Sequence, residues 1–66
     1  IKENNFMITR EEIEQKAVAI KEMIAGAEKL LVASQETGNE EGVAAATYLV
    51  VEYEQMLKEF CSYYSI

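Results

Sequence analysis

Apolar residues in the first half of the chain recur at alternating steps of four and three. Such spacing places them on one side of an α-helix, at the a and d positions of a heptad repeat. The a and d series is Ile13, Ala17, Ile20, Ile24, Ala27, Leu31 and Ser34, with Ser34 as its weak last member. Met23 and Leu30 each precede an a position and widen the stripe as g positions. This pattern predicts a helix over residues 10–36.

The second half of the chain repeats the same design. Its a and d series is Val43, Ala46, Val50, Tyr53, Leu57, Phe60 and Tyr64, and its g positions include Leu49, Met56 and Tyr63. This pattern predicts a second helix over residues 40–64. A connection of about three residues forces neighbouring helices to run antiparallel. We therefore predict an all-α fold, an antiparallel two-helix hairpin with coiled-coil packing.

Local signals mark the helix ends. Thr9 and Glu12 have the spacing of a capping box, and Ile8 and Ile13 that of a hydrophobic staple. Between the helices lies "ETGNEEG", residues 36–42. We expect Gly38 to end the first helix in the left-handed conformation and Asn39 to cap the second.

Calcium is the alternative role for residues 36–42, because the stretch combines glycine, asparagine and carboxylates. A calcium loop of the EF-hand type needs a glutamate six residues after its central glycine, and Gly42 is instead followed by "VAAATY". The turn interpretation explains every residue here except Gly42. For that glycine we predict a close approach of the two helices.

Composition supports the helical prediction. All twelve acidic residues are Glu, and proline is absent. Glu suits helix interiors, whereas Asp favours caps and Pro breaks helices. We expect one domain over residues 9–66, preceded by a partly flexible tail over residues 1–8. The first residue is Ile rather than Met, which is consistent with a fragment or a trimmed chain.

A chain of 66 residues is marginal without a disulfide, a metal or association. Cys61 is the single cysteine and histidine is absent, so neither an internal disulfide nor a zinc site can form. Two helices enclose no core, and Val18, Val32, Tyr48 and Val51 are apolar outside the stripes. We expect association, either of two hairpins in a four-helix bundle or with a heterologous protein. The candidate interface residues are Ile13, Ile20, Met23, Ile24, Leu30, Leu31, Leu49, Val50, Tyr53, Met56, Leu57, Phe60, Tyr63 and Tyr64.

The two ends of the hairpin differ in side-chain size. Small residues gather near the corner, at 33–34 and 44–46, whereas Tyr53, Phe60, Tyr63 and Tyr64 thicken the open end. The aromatic residues either close the end of a bundle or anchor a partner, as aromatic residues often do at interfaces.

Chemistry-bearing patterns are sparse. With no His and no Asp, the sequence lacks the usual groups for acid–base or nucleophilic catalysis, and we expect no enzyme, no cofactor and no metal site. The net charge of −6 disfavours nucleic acid as a ligand. The longest apolar stretch, residues 43–51, is too short to span a membrane. The first ten residues have no signal-peptide pattern, and we expect a cytoplasmic protein.

These observations favour a non-enzymatic interaction module, an acidic helical hairpin that self-associates as a homodimer or other homo-oligomer and acts as an adaptor or regulator. The alternative is a small inhibitor, antitoxin-like or chaperone-like protein that one specific protein target completes. A weaker alternative is an acidic mimic of nucleic acid that occupies a basic groove.

Overall fold

The computed structural model describes residues 8–66, which form two helices and no strand. Helix α1 spans Arg10–Thr37 and helix α2 spans Glu40–Tyr64, and the two pack against each other as an antiparallel hairpin. The predicted all-α hairpin is confirmed, and α1 is one residue longer than expected. The predicted tail lies outside the described residues, apart from Ile8.

The start of α1 is the predicted capping box. The Thr9 hydroxyl accepts from the Glu12 backbone N–H at 3.0 Å, and the Glu12 carboxylate accepts from the Thr9 backbone N–H at 3.0 Å. Glu11 and Glu12 also place negative charge at the positive end of the helix dipole. Local chemistry alone therefore fixes where this helix begins.

The corner satisfies the backbone groups at both adjoining helix ends. Gly38 has φ +70°, and the N–H groups of Gly38 and Asn39 donate to the carbonyls of Gln35 and Ser34 at 3.2 and 2.9 Å. This is the Schellman arrangement, in which a left-handed residue closes the last turn. The Asn39 side chain then accepts from the Gly42 N–H at 3.0 Å and caps α2. The predicted turn roles of Gly38 and Asn39 are confirmed.

The predicted a and d positions form the contact between the helices. Every one of them is buried or half-buried. The buried residues of the described chain are Ala17, Ile20, Ala27, Ser34 and Ala46. Small residues dominate this set, because close contact along a single line can fully enclose only short side chains.

The hairpin is long and thin. It measures 55 × 18 × 15 Å, with a radius of gyration of 15.7 Å, whereas a compact chain of this length would have about 11 Å. Within residues 8–66, no large side chain is fully buried. The apolar stripe of each helix is therefore covered on one side only.

Gly42 lies beside the turn, where α2 packs tightly against the end of α1. A Cβ atom at this position would lie 2.5 Å from Ser34 Oγ and 2.8 Å from Asn39 Nδ2. Both distances are too short for a carbon atom. The predicted close approach at Gly42 is confirmed, and the Asn39 cap itself occupies the space that a side chain would need.

Gly42→Ala should lower the free energy of unfolding by about 1–2 kcal/mol, because the methyl group collides with Ser34 and displaces the Asn39 cap. Helix propensity alone predicts the opposite sign, a gain of up to about 1 kcal/mol. Urea unfolding followed by circular dichroism measures the difference. In a Ser34→Ala background the loss should shrink, since one of the colliding atoms is gone. A net gain in stability for Gly42→Ala in the unaltered background would contradict the close approach.

Candidate interaction surface

The hairpin has two unlike sides, set by the heptad positions that flank the seam. Glu14, Lys21 and Cys61 line one shallow depression, so the e positions of both helices share one side. In an antiparallel pair the g positions then share the other side. The e side carries charged residues, including Lys21, Glu28 and Glu54. The e positions are mostly charged and the g positions mostly apolar. Beyond the e side, three valines are exposed at b positions: Val18, Val32 and Val51.

The g side is apolar along most of its length. It carries Met23 and Leu30 of α1 and Leu49, Met56 and Tyr63 of α2, which we call the apolar side. Leu30 is 47% exposed and Tyr63 is 81% exposed. Exposed hydrophobic residues are ordinary when isolated, whereas a contiguous row is typical of an interaction surface.

The predicted interface residues divide into two sets. Ile20 is buried between the helices, and nine others are half-buried there or beside the seam: Ile13, Ile24, Leu31, Leu49, Val50, Tyr53, Leu57, Phe60 and Tyr64. The remaining four, Met23, Leu30, Met56 and Tyr63, are exposed on the apolar side. The first set holds the hairpin together, and the second set is free for a partner.

A second apolar series on α1 escaped the sequence analysis. Ala19, Met23, Gly26, Leu30 and Ala33 follow one another at steps of four, three, four and three, and all are exposed. We call this series the outer seam. Gly26 lies at its centre, and a Cβ atom there would meet nothing within 4 Å. The spacing of this series is that of a heptad repeat, but Ala and Gly contribute too little hydrophobic area for the sequence alone to indicate a surface here.

The open end of the hairpin carries an aromatic cluster. The ring of Tyr64 lies 4.8 Å from that of Phe60 and 4.8 Å from that of Tyr63, the second pair meeting edge to face. These are favourable aromatic geometries. Phe60 and Tyr64 are half-buried, so they close the end of the hairpin, whereas Tyr63 stands almost fully in solvent. The predicted role in closing the end of the hairpin thus fits Phe60 and Tyr64, and the role of a partner anchor stays a prediction for Tyr63.

The described part of the chain has few polar side chains in arrangements that could bind a metal or support catalysis. Every glutamate between residues 8 and 66 is exposed, and no three metal-binding side chains come together in this range. Cys61 is a free, half-buried thiol at an e position beside the seam. Neither of the two helices is long and apolar enough to cross a membrane.

Comparison with known proteins adds no relative. No family model, curated protein or solved structure matches this chain.

Phe60→Ala should cost about 2 kcal/mol of unfolding free energy, roughly half of the value for a fully buried ring, because Phe60 is half-buried. Tyr63→Ala should cost less than about 0.5 kcal/mol, since most of its ring is already in water. Thermal and urea unfolding of the two variants measure both effects. Equal losses would show that Tyr63 stabilises the fold and is not free for a partner.

Proposed function

We propose that this protein is a non-enzymatic interaction module, a small acidic helical hairpin that self-associates into a four-helix bundle and acts as an adaptor or regulator. The observation that carries the proposal is the row of exposed Met23, Leu30, Met56 and Tyr63 on one side of a hairpin without a closed core. Fully burying a Leu or Met side chain contributes roughly 1.5–3 kcal/mol, so covering the exposed 40–47% of Met23, Leu30 and Met56 contributes roughly half of that for each. Burial of these side chains by a second hairpin would therefore add to the free energy of unfolding of a hairpin this thin.

The two-sided polarity supports a partner that sits on the g side. A four-helix bundle places each helix against two neighbours and buries a stripe about three positions wide in every heptad. The a, d and g positions of both helices supply such a stripe. The charged e side would remain in solvent and keep the assembly from growing into larger aggregates.

Leu30→Glu should convert the assembled protein into a monomer, because it places a charge in the middle of the apolar side. Val51→Glu is the matched control. Val51 is 56% exposed and lies at a b position, beyond the e side of α2, so its replacement should leave the assembly intact. Sedimentation velocity at micromolar concentration measures both outcomes. A monomeric unaltered protein, or equal effects of the two variants, would contradict the proposal.

A second candidate function rests on Tyr63, which is 81% exposed at the aromatic end of the hairpin. Aromatic side chains are enriched among the residues that dominate binding energy at protein interfaces. In this candidate the hairpin is a small inhibitor, antitoxin-like or chaperone-like protein, completed by one specific protein target. Its helicity would be low and independent of concentration until the target is added. Self-association instead makes helicity rise with concentration, and circular dichroism across a dilution series separates the two functions.

We also propose a cytoplasmic location. The chain has one cysteine and gains nothing from an oxidising compartment, because a single thiol cannot form an internal disulfide.

A further inference from the structure

We propose that the outer seam of α1 binds the same seam of a second copy, with the two α1 helices antiparallel and crossing at Gly26. The inference rests on the proposed self-association and specifies its geometry. It makes α1, rather than α2, the principal contact between the two hairpins.

The direction of the outer seam suits the corner of a bundle. At 100° per residue, the outer seam is centred about 110° around α1 from the seam that faces α2. A helix at the corner of a four-helix bundle has neighbours about 90° apart. α1 thus presents one stripe to α2 and a second stripe, at nearly a right angle, to a further helix.

The order of side-chain sizes along the outer seam is symmetric about Gly26. The series is small, large, smallest, large and small: Ala19, Met23, Gly26, Leu30 and Ala33. A two-fold contact requires such self-complementarity, because each residue meets its counterpart in reverse order. With Gly26 on the axis, Met23 of one copy packs beside Leu30 of the other. Gly26 has no side chain to hold the helices apart, and the space above it is open.

Two charged residues border the outer seam at nearly equal distances from Gly26. Glu22 and Lys29 are both exposed. Their neighbours three and four positions away are Val18, Ala19, Ala25, Gly26, Val32 and Ala33, none of which can pair with a charge. Within residues 8–66, neither residue makes an ion pair.

The antiparallel arrangement supplies the missing partners. With Gly26 on the two-fold axis, Glu22 of one copy comes level with Lys29 of the other, and Lys29 with Glu22. A parallel arrangement would instead place the Glu22 and Lys29 flanks of the two copies on opposite sides of the contact, where Glu22 meets no Lys29. The two charges therefore favour the antiparallel orientation.

Helix α2 has no equivalent seam. Its corresponding positions are Ala45, Leu49, Glu52, Met56 and Glu59, so two carboxylates interrupt the series. In the assembled bundle Leu49 and Met56 face inward, while Glu52 and Glu59 lie on the rim. The α2 helices of the two copies therefore close the bundle with fewer apolar contacts than the α1 helices.

A disulfide at position 26 tests the geometry directly. In a Cys61→Ala background, Gly26→Cys should give a covalent dimer under mild oxidation, because only residues near the two-fold axis come within the 4.4–6.8 Å Cα separation that a disulfide requires. Glu28→Cys, on the e side, is the matched control and should cross-link at least about tenfold more slowly. Non-reducing electrophoresis and intact mass measure the rates.

The outcomes separate this inference from the proposed function. A dimer in sedimentation whose Gly26→Cys variant cross-links no faster than the Glu28→Cys control would overturn the α1 contact and leave self-association standing. A monomer in sedimentation would overturn both.

Charge reversal gives an independent test without a new side chain at the axis. Glu22→Lys or Lys29→Glu alone should weaken dimerisation roughly tenfold, since each turns two attractions into two repulsions. The double variant restores opposite charges and should recover the affinity to within about threefold. The measurement is sedimentation equilibrium at low salt, where surface charges are least screened. Single variants that dimerise as well as the unaltered protein would overturn the antiparallel pairing.

Discussion

Two helices can touch each other only along one line, and the rest of this structure follows from that constraint. The contact encloses alanines, a serine and one isoleucine, while the larger apolar side chains remain half-buried or exposed. Hydrophobic burial is the dominant favourable term in folding. A hairpin this thin encloses little apolar surface between its own helices, and precise helix ends therefore matter more to its stability.

The helix ends show how local chemistry compensates for weak packing. The capping box at Thr9, the left-handed Gly38 and the Asn39 cap together satisfy backbone groups that a two-helix core cannot shield. At the corner, the side chains of Asn39, which caps α2, and of Ser34, which belongs to α1, both lie directly against Gly42. Turn geometry and helix packing are thus coupled, and the register of the hairpin is set at its corner.

Much of the fold was predictable because it depends on local rules. Heptad spacing predicted both helices, and the capping signals predicted their ends almost to the residue. The role of Gly42 was predictable because the turn and the caps account for every other residue in 36–42 and leave a close helix approach for this glycine. The exposure of Tyr63 was not, because spacing places it only at a g position beside the seam, and g positions of α2 range from the half-buried Leu49 to the exposed Tyr63.

The outer seam escaped prediction for a different reason. Its Ala and Gly residues contribute little hydrophobic area, and Gly26 by itself is only a cost of about 1 kcal/mol to a helix. Its meaning emerges once the structure shows that the position is exposed and its surroundings are open. Under the proposed contact, a glycine that weakens its own helix would allow a second helix to approach closely.

Net charge places a further condition on self-association. Each chain carries −6, so a dimer carries twice that, −12, and long-range repulsion opposes the encounter of two copies. At physiological ionic strength charges are screened over about 8 Å, which weakens this repulsion more than a contact between neighbouring side chains. The opposite charges of Glu22 and Lys29, set in an apolar surface and free of helical partners, would act inside that distance. An acidic chain can therefore associate with itself, provided that its few cations lie where the two copies meet.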